Sequence, residues 1–422
     1  MDLPAGMDLL ARLRAQPGGE RLLAAAAPGT FLVGGAVRDL LLGRSPRELD
    51  VVVEGGSSVL AHALGTPVEH PRFGTALVEL DGARIDVATA RRERYPAPGA
   101  LPEVEPATLD EDLLRRDFTV NAIAVALDGE RPGELLAAPG ALDDLRGGRL
   151  RVLHDASFAD DPTRLLRLAR YAARLGFEIE SHTAELAGQA LAADALSTVS
   201  RARIGAELRL ALSEPDAIAA LARMDNLGLF TALHPRLRFD ERLAHAALDL
   251  LSVADGDTDA RLDLLLLAVM LRPMVFAPDD SIEEAVMYEL LDELEFAAAD
   301  RALVLRAATC TEALADQLEE SEAPSQIYET ASYESLVGIA LAGAWAELEW
   351  GDHSQAASAA SQWLAELHGI RLQITGDDLL AAGVSQGPEV GRRLEAALRA
   401  KLDGALGGEG REAELRAALE AV

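Results

Sequence analysis

The chain has 422 residues, 49% of them hydrophobic, and a formal net charge of −31; that length exceeds one ordinary core and predicts several domains. Its one cysteine, Cys310, excludes a disulfide framework and a cysteine-based zinc site and fits a reducing cytoplasm. The charge argues against a polyanionic partner, but residues 251–350 hold 22 acids against 4 bases while residues 1–250 hold 37 against 28, so the excess acid can form a solvated surface away from any nucleic acid.

The first stretch, MDLPAGMDLLARLRAQPGG, carries acids before any base and has no long apolar core, unlike a secretion signal. Residues 31 to about 150 then alternate short β-like runs (FLVGG, LDVVVEG, ALVEL, ARIDVAT, TVNAIAVAL) with one clear helix after Gly35, which predicts a small α/β domain. The Pro- and Gly-rich YPAPGALPEVEPATLDED interrupts it, and a loop that long in a compact domain is expected to be functional or mobile. From about residue 158 the spacing becomes helical (DPTRLLRLARYAARLGF, TAELAGQALAADAL, SRARIGAELRLAL) and stays so, predicting an all-α second half with breaks near 272–280 and 321–325. The longest apolar run, LLLLAVML at 264–271, is far below the roughly 18–20 residues of a membrane helix, so a soluble, cytoplasmic chain without a membrane partner is expected.

Three features carry chemistry. Gly34 and Gly35 join a strand to a helix, where a tight turn lets backbone N–H groups face an anion, and Arg38 follows within reach of a triphosphate. Glu48 and Asp50 stand at i and i+2, so on a strand they share a face and can share hard cations; Asp86, in a neighbouring β-like run, can supply a third carboxylate. At about 100° per residue, Arg167, Arg170 and Arg174 fall in one sector of a helix opposite Leu165, Leu168, Ala169 and Ala172, a basic outer stripe or an ordinary solvated face.

GGAVRDLLLG, an acid-x-Asp pair, RRDFTVNAIA (115–124) and DDPTRLLRLARYAARLGF (160–177), in this order and spacing, resemble the class II tRNA nucleotidyltransferases, the CCA-adding enzymes, and their bacterial poly(A) polymerase relatives. SRARIGAEL (200–208) and ITGDDLLAAGVSQGPEVGRRL (374–394) are similar to later segments of that family. The resemblance implies a polymerase-β-like α/β nucleotidyltransferase head with a small mixed sheet (1–150), followed by all-α neck (151–215), body (216–355) and tail (356–422). It maps the family's metal ligands, for Mg²⁺, to Glu48 and Asp50, and nucleotide contacts to Gly34, Gly35, Arg38, Arg115, Arg116, Asp161, Arg164, Arg167 and Arg170. Glu48 stands where the family has Asp, Asp160 where Glu is usual, and Ala202 where Glu precedes Arg203.

The implied reaction is attack of a tRNA 3′-hydroxyl on the α-phosphate of CTP or ATP, with Glu48 and Asp50 holding two Mg²⁺ ions. Asp161 and Arg164, three apart, are neighbours on a helix face, either a local salt bridge or a base reader. As a reader, the carboxylate accepts from an exocyclic amine while the guanidinium donates to the adjacent acceptor, which admits C and A and rejects U and G. One of Arg115 and Arg116 is expected on the triphosphate and the other on Asp117; Asn121 is a ligand contact or a satisfied turn residue. The segment 91–114 is similar to a loop associated with terminal A addition, which favours CCA or A-only over CC-only activity. A poly(A) polymerase is disfavoured by the acidic REAELRAALEAV ending, and a non-catalytic RNA-binding relative by the retained motifs. His234, His245 and His353 form no His-Asp metal motif, so no second catalytic site is expected. Further RNA contacts are expected from residues 387–393; the oligomeric state is not legible.

Overall fold

A computed structural model describes residues 4, 6–70, 74–128, 132–254, 260–275, 284–351 and 353–421. The chain divides into two compact units, Met1–Asp216 with Arg223–Leu233, and Ala217–Ala222 with His234–Val422.

The first unit opens with helices α1 (Gly6–Arg14) and α2 (Gly19–Ala25) and then builds a seven-stranded mixed sheet. Its strands are β1 (Thr30–Val33), β2 (Leu49–Val53), β3 (Val68–His70), β4 (Thr75–Leu80), β5 (Ala83–Thr89), β8 (Ile123–Ala126) and β9 (Leu135–Ala137), with the hairpin strands β6 (Arg91–Arg94) and β7 (Glu103–Pro106) set apart. The spatial order is β3-β4-β5-β2-β1-β8-β9. Among the described pairs of this sheet only β2 and β5 run parallel, in a register that sets Asp50 opposite Asp86. Helix α3 (Gly34–Leu41) leaves β1 at once and buries Ala36, Val37, Leu40 and Leu41.

The mixed sheet followed by helices agrees with the expected fold class. The loop expected at 95–112 is in part regular: Glu103–Pro106 pairs with Arg91–Arg94, and α5 (Leu109–Leu114) begins at a capping box between Thr108 and Glu111. Proline is tolerated at Pro106 because an isolated hairpin leaves its outer edge without a ladder partner. After α4 (Ser58–Leu64), α5 and α6 (Ala141–Gly147) come α7 (Ser157–Asp160), α8 (Thr163–Leu175), α9 (Ser181–Ala192) and α10 (Arg201–Leu212). Helix α8 buries Leu165, Leu168, Ala169 and Ala172, the apolar sector its sequence spacing predicts.

The second unit is helical among its described residues. Leu336–Trp350 buries every residue from Leu336 to Ala344, so it is a core helix rather than an amphipathic one. Gly343 makes that possible, since a Cβ there would lie 2.5 Å from the Ala360 Cβ and 3.0 Å from the Leu250 Cδ1. The apolar run at 264–271 is buried in Leu262–Leu271, and no described helix is long and apolar enough to cross a membrane. The expected break at 321–325 separates Ala298–Glu319 from Pro324–Ala331. Of the break at 272–280, Arg272–Met274 forms a 3₁₀ turn and 276–280 lies outside the described residues. Ile374, Leu379, Ala397 and Ala418 form a separate small core. Arg393, expected at RNA, donates to Glu389 and to the carbonyls of Ala418 and Leu419.

Candidate active site

The site is a cavity of about 770 Å³ in the first unit, lined by β1, β2 and β5, the start of α3, segment 115–121, α8 and α10. Gly34 makes the turn from β1 into α3 with φ +67°, a conformation that side chains resist. A Cβ at Gly34 would fall 2.7 Å from the Arg116 Nη1 and 3.7 Å from the Asp50 Oδ2, so the glycine also keeps clear the space between the arginine and the acid.

Glu48, Asp50 and Asp86 each offer a carboxylate oxygen within 4.8 Å of the others. Glu48 directly precedes β2, and the parallel register brings Asp86 level with Asp50. Like charges level across a ladder are unfavourable, and burial, then the Glu48 charge, push the Asp50 carboxyl up to about 7, against the opposing pull of Arg116. Such an all-oxygen, mutually repelling donor set fits a hard divalent cation. Arg84, which sequence reasoning missed, reaches over the same cluster, 3.7 Å from Glu48 and 3.6 Å from Asp86. Its signal was present: it stands two residues before Asp86 on one strand face.

Arg115 and Arg116 divide differently from expectation, for neither pairs with Asp117. Arg115 donates to Asp112, Glu93 and the Arg91 carbonyl, a scaffold beneath the hairpin. Arg116 donates Nη2 to Asp112 at 2.9 Å, while its buried Nε has no hydrogen-bond partner. Asp112 stays ionised despite its burial, held below the usual carboxylate range by these two guanidiniums.

Asp117 instead receives Arg167 and Asn121. Asn121 is thus satisfied on both sides, since its side-chain oxygen accepts from Arg38. Arg38 is fully buried and grips Asp39 with Nε and Nη2, at 2.9 and 2.7 Å. The stripe on α8 is not an outer face. Arg167 reaches Glu207 at 3.1 Å, Arg170 reaches Glu207 and Glu214 at 3.1 Å each, and Arg174, expected to be solvated, pairs with Asp39 at 3.1 Å. Tyr171 stands among these groups, its ring centroid 5.4 Å from the Arg38 and Arg167 guanidiniums and 4.9 Å from that of Arg170. Periodicity located the arginines but not their acids, which lie on α3 (Asp39), in segment 117–121 (Asp117), on α10 (Glu207) and just beyond it (Glu214).

Asp161 and Arg164 both line the cavity, yet they do not share a helix face. Asp161 caps α7 in extended conformation, and its Oδ1 accepts from the Thr163 N–H, the Thr163 hydroxyl and Arg203. Arg164 is buried, with Nη1 donating to the Ser157 hydroxyl and Nη2 to the Arg115 carbonyl, each nitrogen keeping a second N–H. Arg203 also donates to the Gly99 carbonyl, and a Cβ on Gly99 would lie 2.3 Å from the Thr198 Oγ1. The segment between β6 and β7 is therefore docked.

Residues 30–151 match the family described as the poly A polymerase head domain, and 176–240 the probable RNA and SrmB-binding site of polymerase A. An A-adding tRNA nucleotidyltransferase of Geobacter sulfurreducens is 34% identical over 89% of this chain and 43% of its own length. A CC-adding tRNA nucleotidyltransferase of Deinococcus radiodurans is 48% identical over 49% of this chain and 57% of its own. The chain thus spans about half the length of these curated relatives. The Thermotoga maritima CCA-adding enzyme in complex with tRNA superposes with a TM-score of 0.76 at 27% identity, covering 99% of each chain.

Proposed function

Because the chain belongs to the family that joins tRNA nucleotidyltransferases to bacterial poly(A) polymerases, we propose that it adds CMP and AMP, taken from CTP and ATP, to the 3′ end of tRNA in the cytoplasm. The observation that carries this reading is the union, in one cavity, of an all-carboxylate cluster with the Gly34 turn, Arg116 and the Asp161 and Arg164 side chains. In this reading residues 1–150 are the catalytic head, 151–215 the neck that reads the base, 216–355 the helical body and 356–422 the tail that binds tRNA.

Glu48 and Asp50, with Asp86 across the ladder, would hold Mg²⁺, which supplies charge neutralisation at the triphosphate and acidifies the attacking hydroxyl. The other tasks fall to the chain's own groups. The N–H groups opening α3 and the unengaged donors of Arg116 take the triphosphate. Arg115, spent on Asp112 and Glu93, holds the frame. The tRNA 3′-hydroxyl gives its proton to solvent as its oxygen bonds to the α-phosphorus, the bond from that phosphorus to the oxygen shared with the β-phosphorus breaks, and pyrophosphate leaves. Positioning and charge neutralisation supply most of the rate in such transfers. The free Oδ2 of Asp161 and the spare N–H groups of Arg164 meet C and A, whose amine lies beside an acceptor, and face their own kind in U and G.

A-only addition is the second reading, favoured by the hairpin docked through Gly99 over a CC-only activity. Incubating the protein with tRNAs lacking three, two or one terminal nucleotide, with each labelled nucleotide in turn, separates them. Full activity extends all three acceptors, A-only activity extends the last alone, and no extension of any acceptor overturns the proposal.

A further inference from the structure

Arg84 lies on β5, two residues before Asp86, so both side chains leave the same face of the sheet. Its Nε stands 3.7 Å from the Glu48 Oε2 and 3.6 Å from the Asp86 Oδ2, and its side chain is 58% exposed. These separations exceed the 2.7–3.2 Å of a formed hydrogen bond. The guanidinium is thus held by charge and not by directed bonds, and a pair so exposed is worth little. It nonetheless answers a need, because three carboxylates within 4.8 Å repel one another unless a positive group stands among them.

Resting on the reading of Glu48, Asp50 and Asp86 as a cation seat, we infer that Arg84 is a resident counter-ion, a positioning residue that offsets the charge of Glu48 and Asp86 until a divalent cation displaces it. Its long flexible stem can swing into solvent, and the weak pairing keeps that movement cheap. Glu48 takes part in the same device. A glutamate extends one methylene further than aspartate, and it is the Glu48 Oε2 that Arg84 reaches. Arg84 thereby sets how much divalent cation is needed to fill the site.

The test is Mn²⁺ binding to the metal-stripped full-length protein, read from the spin resonance of free Mn²⁺ with no nucleotide present. Arg84→Gln is expected to tighten binding about three- to fivefold at low salt, with the gain shrinking as salt screens the charge. Arg84→Lys, which keeps the charge, stays within about twofold of wild type. Unchanged or weaker binding in Arg84→Gln, with its melting curve intact, overturns the role of Arg84 alone. Failure of the wild type to bind Mn²⁺, or binding that survives Asp50→Ala, overturns the carboxylate seat and this inference with it.

Discussion

Two donors of Arg167, Nε at 2.9 Å and Nη2 at 2.7 Å, converge on a single oxygen of Asp117, Oδ2. The other oxygen accepts from Asn121 and from the Phe118 N–H, so the carboxylate is saturated and ties the 3₁₀ turn after segment 115–118 to helix α8. Burial alone would raise its pKa, but Arg167 and Asn121 overrule burial and hold it well below the usual carboxylate range. A depressed folded value means stability present above the unfolded value of roughly 4 and lost as pH falls through the folded one. Asp117→Asn is expected to cost about 3 kcal/mol at neutral pH. In denaturant melts the gap to wild type should narrow as the buffer is acidified below about 4.

Asp50 has the opposite sign. Its carboxyl is raised to about 7 by burial and by Glu48, so the folded chain binds the extra proton and stability falls as pH rises from about 4 through 7. In chelator, Asp50→Asn should melt roughly 2–4 °C above wild type at pH 8 and level with it at pH 4. The same substitution should abolish nucleotide incorporation. Melting curves identical at both pH values would mean that the cluster stores no repulsion.

Gly34→Ala puts a methyl group where the Arg116 Nη1 lies, on a backbone with φ +67°. The left-handed conformation costs about 1–2 kcal/mol, and the displaced guanidinium should raise the nucleotide KM at least about tenfold. Steady-state kinetics with CTP and ATP check this; an unchanged KM removes Arg116 from the triphosphate.

Asp161→Ala removes the acceptor proposed for the exocyclic amine and frees Arg203. Preference for C and A over U and G should fall on the order of 10²-fold. Competition between labelled nucleotides measures the ratio directly, and a ratio that holds assigns base choice to other groups.

Gly99→Ala forces the segment between β6 and β7 away from Thr198. Single-turnover addition of AMP should slow on the order of tenfold, with CMP addition within about twofold. Equal slowing of both steps would give the docked segment a structural role only.

Alternation of period two made Glu48 and Asp50 legible as sharing a face, with Asp86 a candidate on a nearby run; the parallel register that sets it level with Asp50 came only with the fold. Five of the seven sheet strands were legible from alternation and the helices after about residue 158 from helical spacing; the three-residue strands β3 and β9 were too short to show a period. The surroundings of the arginines were not. Periodicity assigns Arg167, Arg170 and Arg174 to one sector, but what that sector packs against depends on Glu207 on α10 and Glu214 just past it, some 37 to 44 residues from Arg170, and on Asp39, 135 residues from Arg174. Spacing also placed Asp161 beside Arg164 on one helix, whereas the chain leaves α7 in extended conformation at Asp161, ahead of Pro162. Proline disfavours helical backbone in the residue before it, and that signal outranked the interval of three.

Among the arginines around the cavity, Arg38, Arg115, Arg116, Arg167, Arg170 and Arg203 each already hold a carboxylate. The wall is consequently near electroneutral, a rigid lattice of dipoles and not a reservoir of loose positive charge. A ligand gains little there from bulk attraction and much from shape. Affinity for nucleotide should respond only weakly to electrolyte, and simple polyanions should compete poorly for the same wall.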